Sequence, residues 1–264
     1  MLKYSVIKKL KILDDKYLFN LIKRTLNFIR RFNARKLKIK KVSNDINFYI
    51  VDYYIKDNDL TKLSEKYGSD KGGDFFKNKI LGSNHTYTDF YYEQFKNIRF
   101  QISDLFECGI GSNNLNIESN MGIHGKSGAS LRMWKDFFPK ANIYGGDIDR
   151  EILFEEERIQ TFYVDQRDPE LIKTMWKKIN KKFDIILDDG LHSFDANINF
   201  FENSFNNLKN GGFYIIEDIR INEQKFFYNY FKNNKNNVKH VSLNSKAISG
   251  ITNLVVIEKI DQIL

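Results

Sequence analysis

Cysteine is almost absent from this sequence. Cys108 is the only one in 264 residues, which excludes an intramolecular disulfide and any zinc site built on thiolates, and fits a reducing compartment. There are only two prolines, amid many Lys, Asn, Ile and Phe residues. That bias follows no structural period and is read as nucleotide bias in the genome. No apolar run approaches the roughly 18 residues needed to span a bilayer. The N-terminus is too interrupted by charge for the apolar core of a secretory signal. A cytoplasmic protein is the expectation, with peripheral contact at the inner membrane face left open.

Acidic residues are scarce in one place only. Residues 1–41 hold fourteen Lys and Arg against Asp14 and Asp15, a local balance of +12, whereas the chain as a whole carries +8. The body is therefore net −4, a poor match for a polyanion groove, and no nucleic-acid partner is expected. Leu18, Ile22, Leu26, Ile29 and Phe32 recur at three- and four-residue steps and predict a helix over residues 2–34. Three readings of that basic helix stand. It docks on the enzyme body or on a second subunit as part of a homo-oligomer, it lies on an anionic membrane surface, or it is a solvated arm.

Residues 44–100 read as helical stretches broken by Gly68, Gly72, Gly73 and Gly82. Beyond Ile102 the pattern alternates. Short apolar runs at 102–108, 142–147, 159–164, 183–188 and 212–217 read as buried parallel strands, and 129–138, 168–179 and 194–208 as helices between them. Two more strands, 236–243 and 252–258, close the chain. The expectation is a doubly wound, Rossmann-like α/β sheet, mostly parallel with an antiparallel last strand. Residues 1–94 form a basic helical extension and cap, and 95–264 the catalytic domain.

Ligands of such sheets bind beyond the carboxyl ends of the strands. The first strand ends in Glu107-Cys108-Gly109-Ile110-Gly111, the second in Gly145-Gly146-Asp147-Ile148-Asp149 and the third in Asp165-Gln166. Glycines permit a tight turn and close approach of a ligand, Asp147 is placed to accept from a ribose diol, and Asp165-Gln166 offers a polar edge for an adenine. Each piece alone also has a bland reading, a loop or a helix N-cap. A dinucleotide site is disfavoured: the third glycine is missing and Asp147 lies 38 residues beyond Gly109. Glu107, just before the glycines, better suits a ligand with a cationic amino acid end. At an open strand end, loss of Asp147 is expected to weaken the ligand and leave folding nearly unaffected.

With these motifs the sequence resembles class I S-adenosylmethionine-dependent methyltransferases. More narrowly, it is similar to the group of macrolide-sugar and capsule or nucleotide-sugar O-methyltransferases. The resemblance rests on Glu107 to Gly111, Gly128-Ala129-Ser130-Leu131-Arg132-Met133-Trp134, Tyr144 to Asp149, Asp165-Gln166, Asp188-Asp189-Gly190-Leu191-His192 and Glu217-Asp218. Upstream, Lys66-Tyr67-Gly68-Ser69-Asp70-Lys71 and His85-x-Tyr87 add to it, so that it covers about residues 61–220. It implies that Tyr67, Ser69, Lys71, Glu107, Gly109, Gly111, Ser130, Asp147, Ile148, Asp165, Gln166 and Asp188 bind the cofactor. Leu191 departs from the serine common in the macrolide group, and the Asn-rich insertion 112–127, with His124, leaves acceptor identity open.

The same resemblance makes Asp189, Glu217 and Asp218 ligands of Mg2+, and His192, with Asp189, catalytic. A sugar hydroxyl is a poor nucleophile, so a base or a metal must help remove its proton, and imidazole exchanges protons near neutral pH. Oxygen donors suit Mg2+. Other readings stay open: His192 as a cap of the helix starting near Phe194, and the acidic residues as direct ligands of the acceptor. The expected acceptor is a sugar hydroxyl, on a nucleotide-linked heptose or deoxyhexose of capsule or surface-glycan synthesis. The competing class, an N-methyltransferase, commonly uses an Asn/Asp-Pro-Pro-aromatic turn after the fourth strand, where this chain has Asp188 to His192.

Overall fold

The computed structural model describes residues 38–43, 48–53, 58–72, 86–245 and 251–260. The helix expected over residues 2–34, with its docking or membrane role, and His85 lie outside them. Ten strands form one sheet: β1 (Lys38–Ser43), β2 (Phe48–Tyr53), β3 (Asp104–Cys108), β4 (Asn142–Asp147), β5 (Glu155–Glu156), β6 (Ile159–Tyr163), β7 (Phe183–Asp188), β8 (Leu208–Ile216), β9 (Asn237–Ser245) and β10 (Ile251–Glu258). Their spatial order is β1-β2-β9-β10-β8-β7-β3-β4-β6-β5. The pairs β3/β4, β3/β7, β4/β6 and β7/β8 are parallel, and the last strand, β10, runs antiparallel to both β8 and β9. The doubly wound expectation is borne out.

One expectation fails. Residues 48–53 were read within a helical region, but Phe48–Tyr53 is a strand paired in parallel with β9 and antiparallel with β1. Its Phe-Tyr-Ile-Val core is β-branched and aromatic, which suits a pleated half-buried surface better than a helix.

Helices cover both faces. Alternate residues of each central strand point to opposite sides. Leu105, Ile143, Leu187 and Ile215 pack with Leu60, Tyr91 and Trp134 from α1 (Asp59–Tyr67), α2 (Tyr87–Phe95) and α3 (Ala129–Phe137). Phe106, Tyr144, Ile186 and Tyr214 pack with Trp176, Phe200 and Phe227 from α4 (Pro169–Ile179), α5 (Phe194–Ser204) and α6 (Gln224–Phe231). The aromatic run 226–231 therefore belongs partly to the core, through Phe227 and Phe231. Local chemistry sets the helix ends. Asp168 accepts from the Glu170 and Leu171 N–H groups, Pro169 opens α4, and Asn180 closes it in the left-handed region. Strand order reverses at β3: the chain winds outward through β4 and β6, then returns to β7 on the other side of β3, so the crevice at the carboxyl ends of β3 and β7 is the switch point where ligands settle.

Candidate active site

Two cavities adjoin at that crevice. The turn after β3 separates them and is held by backbone: Gly109 N–H donates to the Gly146 carbonyl at 2.8 Å, and Asp189 N–H to that of Cys108 at 2.9 Å. Gly109 has φ 84° and a Cβ there would lie 2.0 Å from the Asp189 carbonyl oxygen, so only glycine lets the β3 and β7 loops close on each other.

The smaller cavity, about 220 Å³, is lined by Ser112, Asp147, Ile148, Asp165, Gln166 and Leu191 among others. It thus gathers the second- and third-strand residues read from the sequence. Asp147 Oδ2 accepts from the Ile110 N–H and Oδ1 from that of Asp149, each at 2.9 Å. Burial lifts its carboxyl above the usual range. Asp147 is 7% exposed, so it is not the open strand end first assumed. Asp165 is paired with Arg167 at 2.9 Å, which holds its carboxyl low. Asp188 lines neither cavity. It is fully buried, accepts from Gln166 Nε2 and from Asn197 Nδ2, and burial pushes its pKa up to about 7.

The larger cleft, about 380 Å³, is lined by Ser69, Lys71, Gly109, Gly111, Ser130, Asp189, His192, Glu217 and Asp218, with Asp70, Tyr87, Lys126 and Arg220. At its floor the Lys71 ammonium touches Asp189 Oδ2 and Glu217 Oε2, both at 2.7 Å, and Glu107 Oε1 at 3.1 Å. Burial pulls this lysine down, but Asp189, Glu217 and Glu107 outweigh it and keep Lys71 protonated. The remaining oxygens of the two glutamates are also engaged. Glu107 Oε2 accepts from Trp134 Nε1 at 3.1 Å, and Glu217 Oε1 from the Tyr91 hydroxyl at 2.5 Å. Tyr87 donates its hydroxyl to Asp218 Oδ1 at 2.8 Å and accepts from the Asp218 N–H. Tyr67, expected at the cofactor, instead donates to Asp136 at 2.6 Å.

Three donor groups come together above this floor. One ligating atom each from Asp189, His192 and Asp218 lie within 4.8 Å of one another. His192 Nδ1 is buried and has no hydrogen-bond partner. His192 and Asp218 both sit in the left-handed backbone region, with φ 55° and 51°. Such backbone strain costs of order 1–3 kcal/mol and gathers at functional sites. The oxygen-rich donor set and the orphaned imidazole nitrogen fit a divalent cation. Glu217, expected beside Asp218 as a ligand, is turned instead to Lys71 and Tyr91.

Tyr91 and Asn197 were not singled out by the sequence, since each reaches the site from a helix with no motif of its own. His124 is exposed and lines neither cavity. His240 lies apart, its pKa lowered to about 4 by burial.

No family model matches the chain. The mycinamicin VI 2''-O-methyltransferase of Micromonospora griseorubida is 35% identical over 162 residues, 61% of this chain and 36% of that protein. The demethylmacrocin O-methyltransferase of Streptomyces fradiae is 34% identical over 161 residues, 61% and 36% of the two chains. The homologues are sugar O-methyltransferases. The solved MycE methyltransferase of the mycinamycin pathway, in complex with Mg and SAH, superposes with a TM-score of 0.55 at 25% identity, over 78% of this chain and 55% of that one. The resemblance read from the motifs is borne out. This chain spans little more than a third of the length of the curated relatives, 36% in both cases given. Among the described residues no helix is long and apolar enough to cross a membrane.

Proposed function

We propose that the protein is an S-adenosylmethionine-dependent O-methyltransferase acting on a sugar hydroxyl. The observation that carries this reading is the pair of adjoining cavities at the switch point. One is nucleoside-sized and bordered by Asp147, Asp165 and Gln166. The other holds Asp189, His192 and Asp218 where a methyl group would be transferred. The relatives' names and the SAH-bound structure point the same way.

Methyl transfer is mainly a positioning problem, the in-line approach of an oxygen lone pair to the sulfonium carbon. In this reading Gly109, Gly111 and Ser130 border the methionine part of the cofactor, whereas Glu107, expected beside it, lines neither cavity and acts from beneath the cleft by holding Lys71. Asp189 and Asp218 would hold Mg2+, which when bound supplies Lewis-acid polarisation of the acceptor oxygens. His192, which lines the cleft, takes the hydroxyl proton. Glu217 acts at one remove, through Lys71. Lys126 and Arg220 line the cleft, and neither side chain is paired with a carboxylate among the described residues. These two cations would pair with an anionic group of the acceptor, and on that we base the choice of a nucleotide-linked sugar of capsule or surface-glycan synthesis.

The test is incubation with methyl-labelled S-adenosylmethionine and nucleotide-linked heptoses and deoxyhexoses, with and without Mg2+. Label on a sugar hydroxyl in the presence of Mg2+ is the expected result. Binding of neither S-adenosylmethionine nor SAH by calorimetry would sink the reading.

A further inference from the structure

Gln166 has both side-chain polar atoms and its carbonyl engaged. Nε2 donates to Asp188 Oδ1, Oε1 accepts from the Leu191 N–H at 2.7 Å, and the carbonyl accepts from Asn199 Nδ2 at 2.6 Å. Asp188 is anchored in turn by Asn197 Nδ2 at 3.0 Å. Room for the amide is made by Gly190, where a Cβ would come within 2.1 Å of Gln166 Oε1. The buried amide thus ties the end of β7 to the loop that follows it, and the Gln166 backbone carbonyl holds the middle of α5 through Asn199.

That loop faces two ways. Gly190 and Leu191 line the smaller cavity with Gln166, whereas Asp189 and His192, on either side of them, line the larger cleft. The left-handed backbone at His192 persists only if its surroundings hold it. The Leu191 N–H bond to Gln166 is the hold immediately before it.

We propose that Gln166 is a positioning residue that couples occupancy of the nucleoside cavity to the placement of Asp189 and His192. A nucleoside packed against Gln166, Gly190 and Leu191 removes water from the Leu191–Gln166 bond and strengthens it, since hydrogen bonds gain in a less polar setting. The loop is then fixed when the cofactor is in place, and looser when it is not. This rests on the reading that the cavity takes the adenosine part of S-adenosylmethionine.

The test is hydrogen exchange of the full chain with and without SAH, comparing residues 188–193 with residues 145–149. Gln166→Met keeps the volume and removes both bonds. Q166E keeps the acceptor for Leu191 but sets a carboxylate against Asp188, and Q166E/D188N restores that bond with its polarity reversed. In wild type, SAH is expected to slow exchange over 188–193 by about tenfold, a modest shift in local opening. In Gln166→Met, with SAH raised until 145–149 is protected as in wild type, protection of 188–193 is lost; Q166E/D188N recovers it at matched protection of 145–149 where Q166E does not. Equal protection of 188–193 by SAH in Gln166→Met, or no recovery in Q166E/D188N, overturns the proposal. Failure of SAH to bind wild-type protein in calorimetry removes the adenosine reading as well, a result distinct from binding without coupling.

Discussion

Lys71 Nζ lies 2.7 Å from Glu217 Oε2, and the pair is buried on both sides, with side chains 3% and 0% exposed. Asp189 and Glu107 share the same ammonium. Breaking a buried ion pair from one side leaves an uncompensated charge, which costs about 3–5 kcal/mol. Here one cation serves three carboxylates, so Lys71→Met is expected to lose stability at the upper end of that range. Glu217→Gln, which leaves Lys71 two partners, should lose less. Urea denaturation at neutral pH measures both. A Lys71→Met protein as stable as wild type would show that the three carboxylates do not depend on this lysine.

Asp147→Ala is expected to weaken SAH binding by about 1.5–3 kcal/mol, the scale of a hydrogen bond to a charged group. The carboxylate also holds the Ile110 and Asp149 N–H groups. Loss of these is expected to lower folding stability by about 1–2 kcal/mol, rather than leave it unchanged. Calorimetry and urea denaturation separate the two effects. Unchanged SAH affinity would remove Asp147 from the cofactor site.

Asp188 gives a pH signature. Burial raises its folded pKa to about 7, above the unfolded value of about 3.9. Between those values the folded state binds more protons than the unfolded one, so this group's contribution to stability falls as pH rises through the window. Above pH 7 the loss is complete, on the order of a few kcal/mol. Asp188→Asn cannot ionise, so its stability is expected to fall less between pH 4.5 and 8 than that of wild type. The slope is the measurement, because the amide also changes the bonds to Gln166 and Asn197 at every pH. Parallel slopes in the two proteins would mean that Asp188 is ionised throughout.

The strands were legible where burial on both faces leaves short apolar runs. Phe183–Asp188 matches its run residue for residue. Phe48–Tyr53 was not legible, because its parallel partner β9 lies nearly two hundred residues later in the chain. At the site, Asp188-Asp189 and Glu217-Asp218 announced carboxylates at two strand ends. The strand pleat decides which member faces the cleft, and it aims Asp188 into the far core while Asp189 meets Lys71. Lys71 was placed at the cofactor by motif alone. That it would draw Glu217 away from Asp218 depends on a contact across 146 residues, beyond the reach of local pattern.

His192 has two chemical roles open to it, and they make different forecasts. As a metal ligand it would share a cation with Asp189 and Asp218, within the 4.8 Å that separates their donor atoms. As a base it would leave the metal to the carboxylates and work through the free imidazole. The base is the expected role, because two carboxylates with water and acceptor oxygens can satisfy Mg2+, a cation that favours oxygen donors. His192→Ala is therefore expected to bind Mn2+, read by electron paramagnetic resonance, within about threefold of wild type. Its methyl transfer should fall by at least about 10²-fold, the scale of general-base catalysis. Asp218→Asn should instead lose Mn2+ affinity. Loss of Mn2+ binding in His192→Ala would make the imidazole a ligand, and turnover at the wild-type rate would exclude it as the base. Full activity of wild-type protein in chelator would remove the metal from Asp189 and Asp218 while leaving the imidazole's role intact.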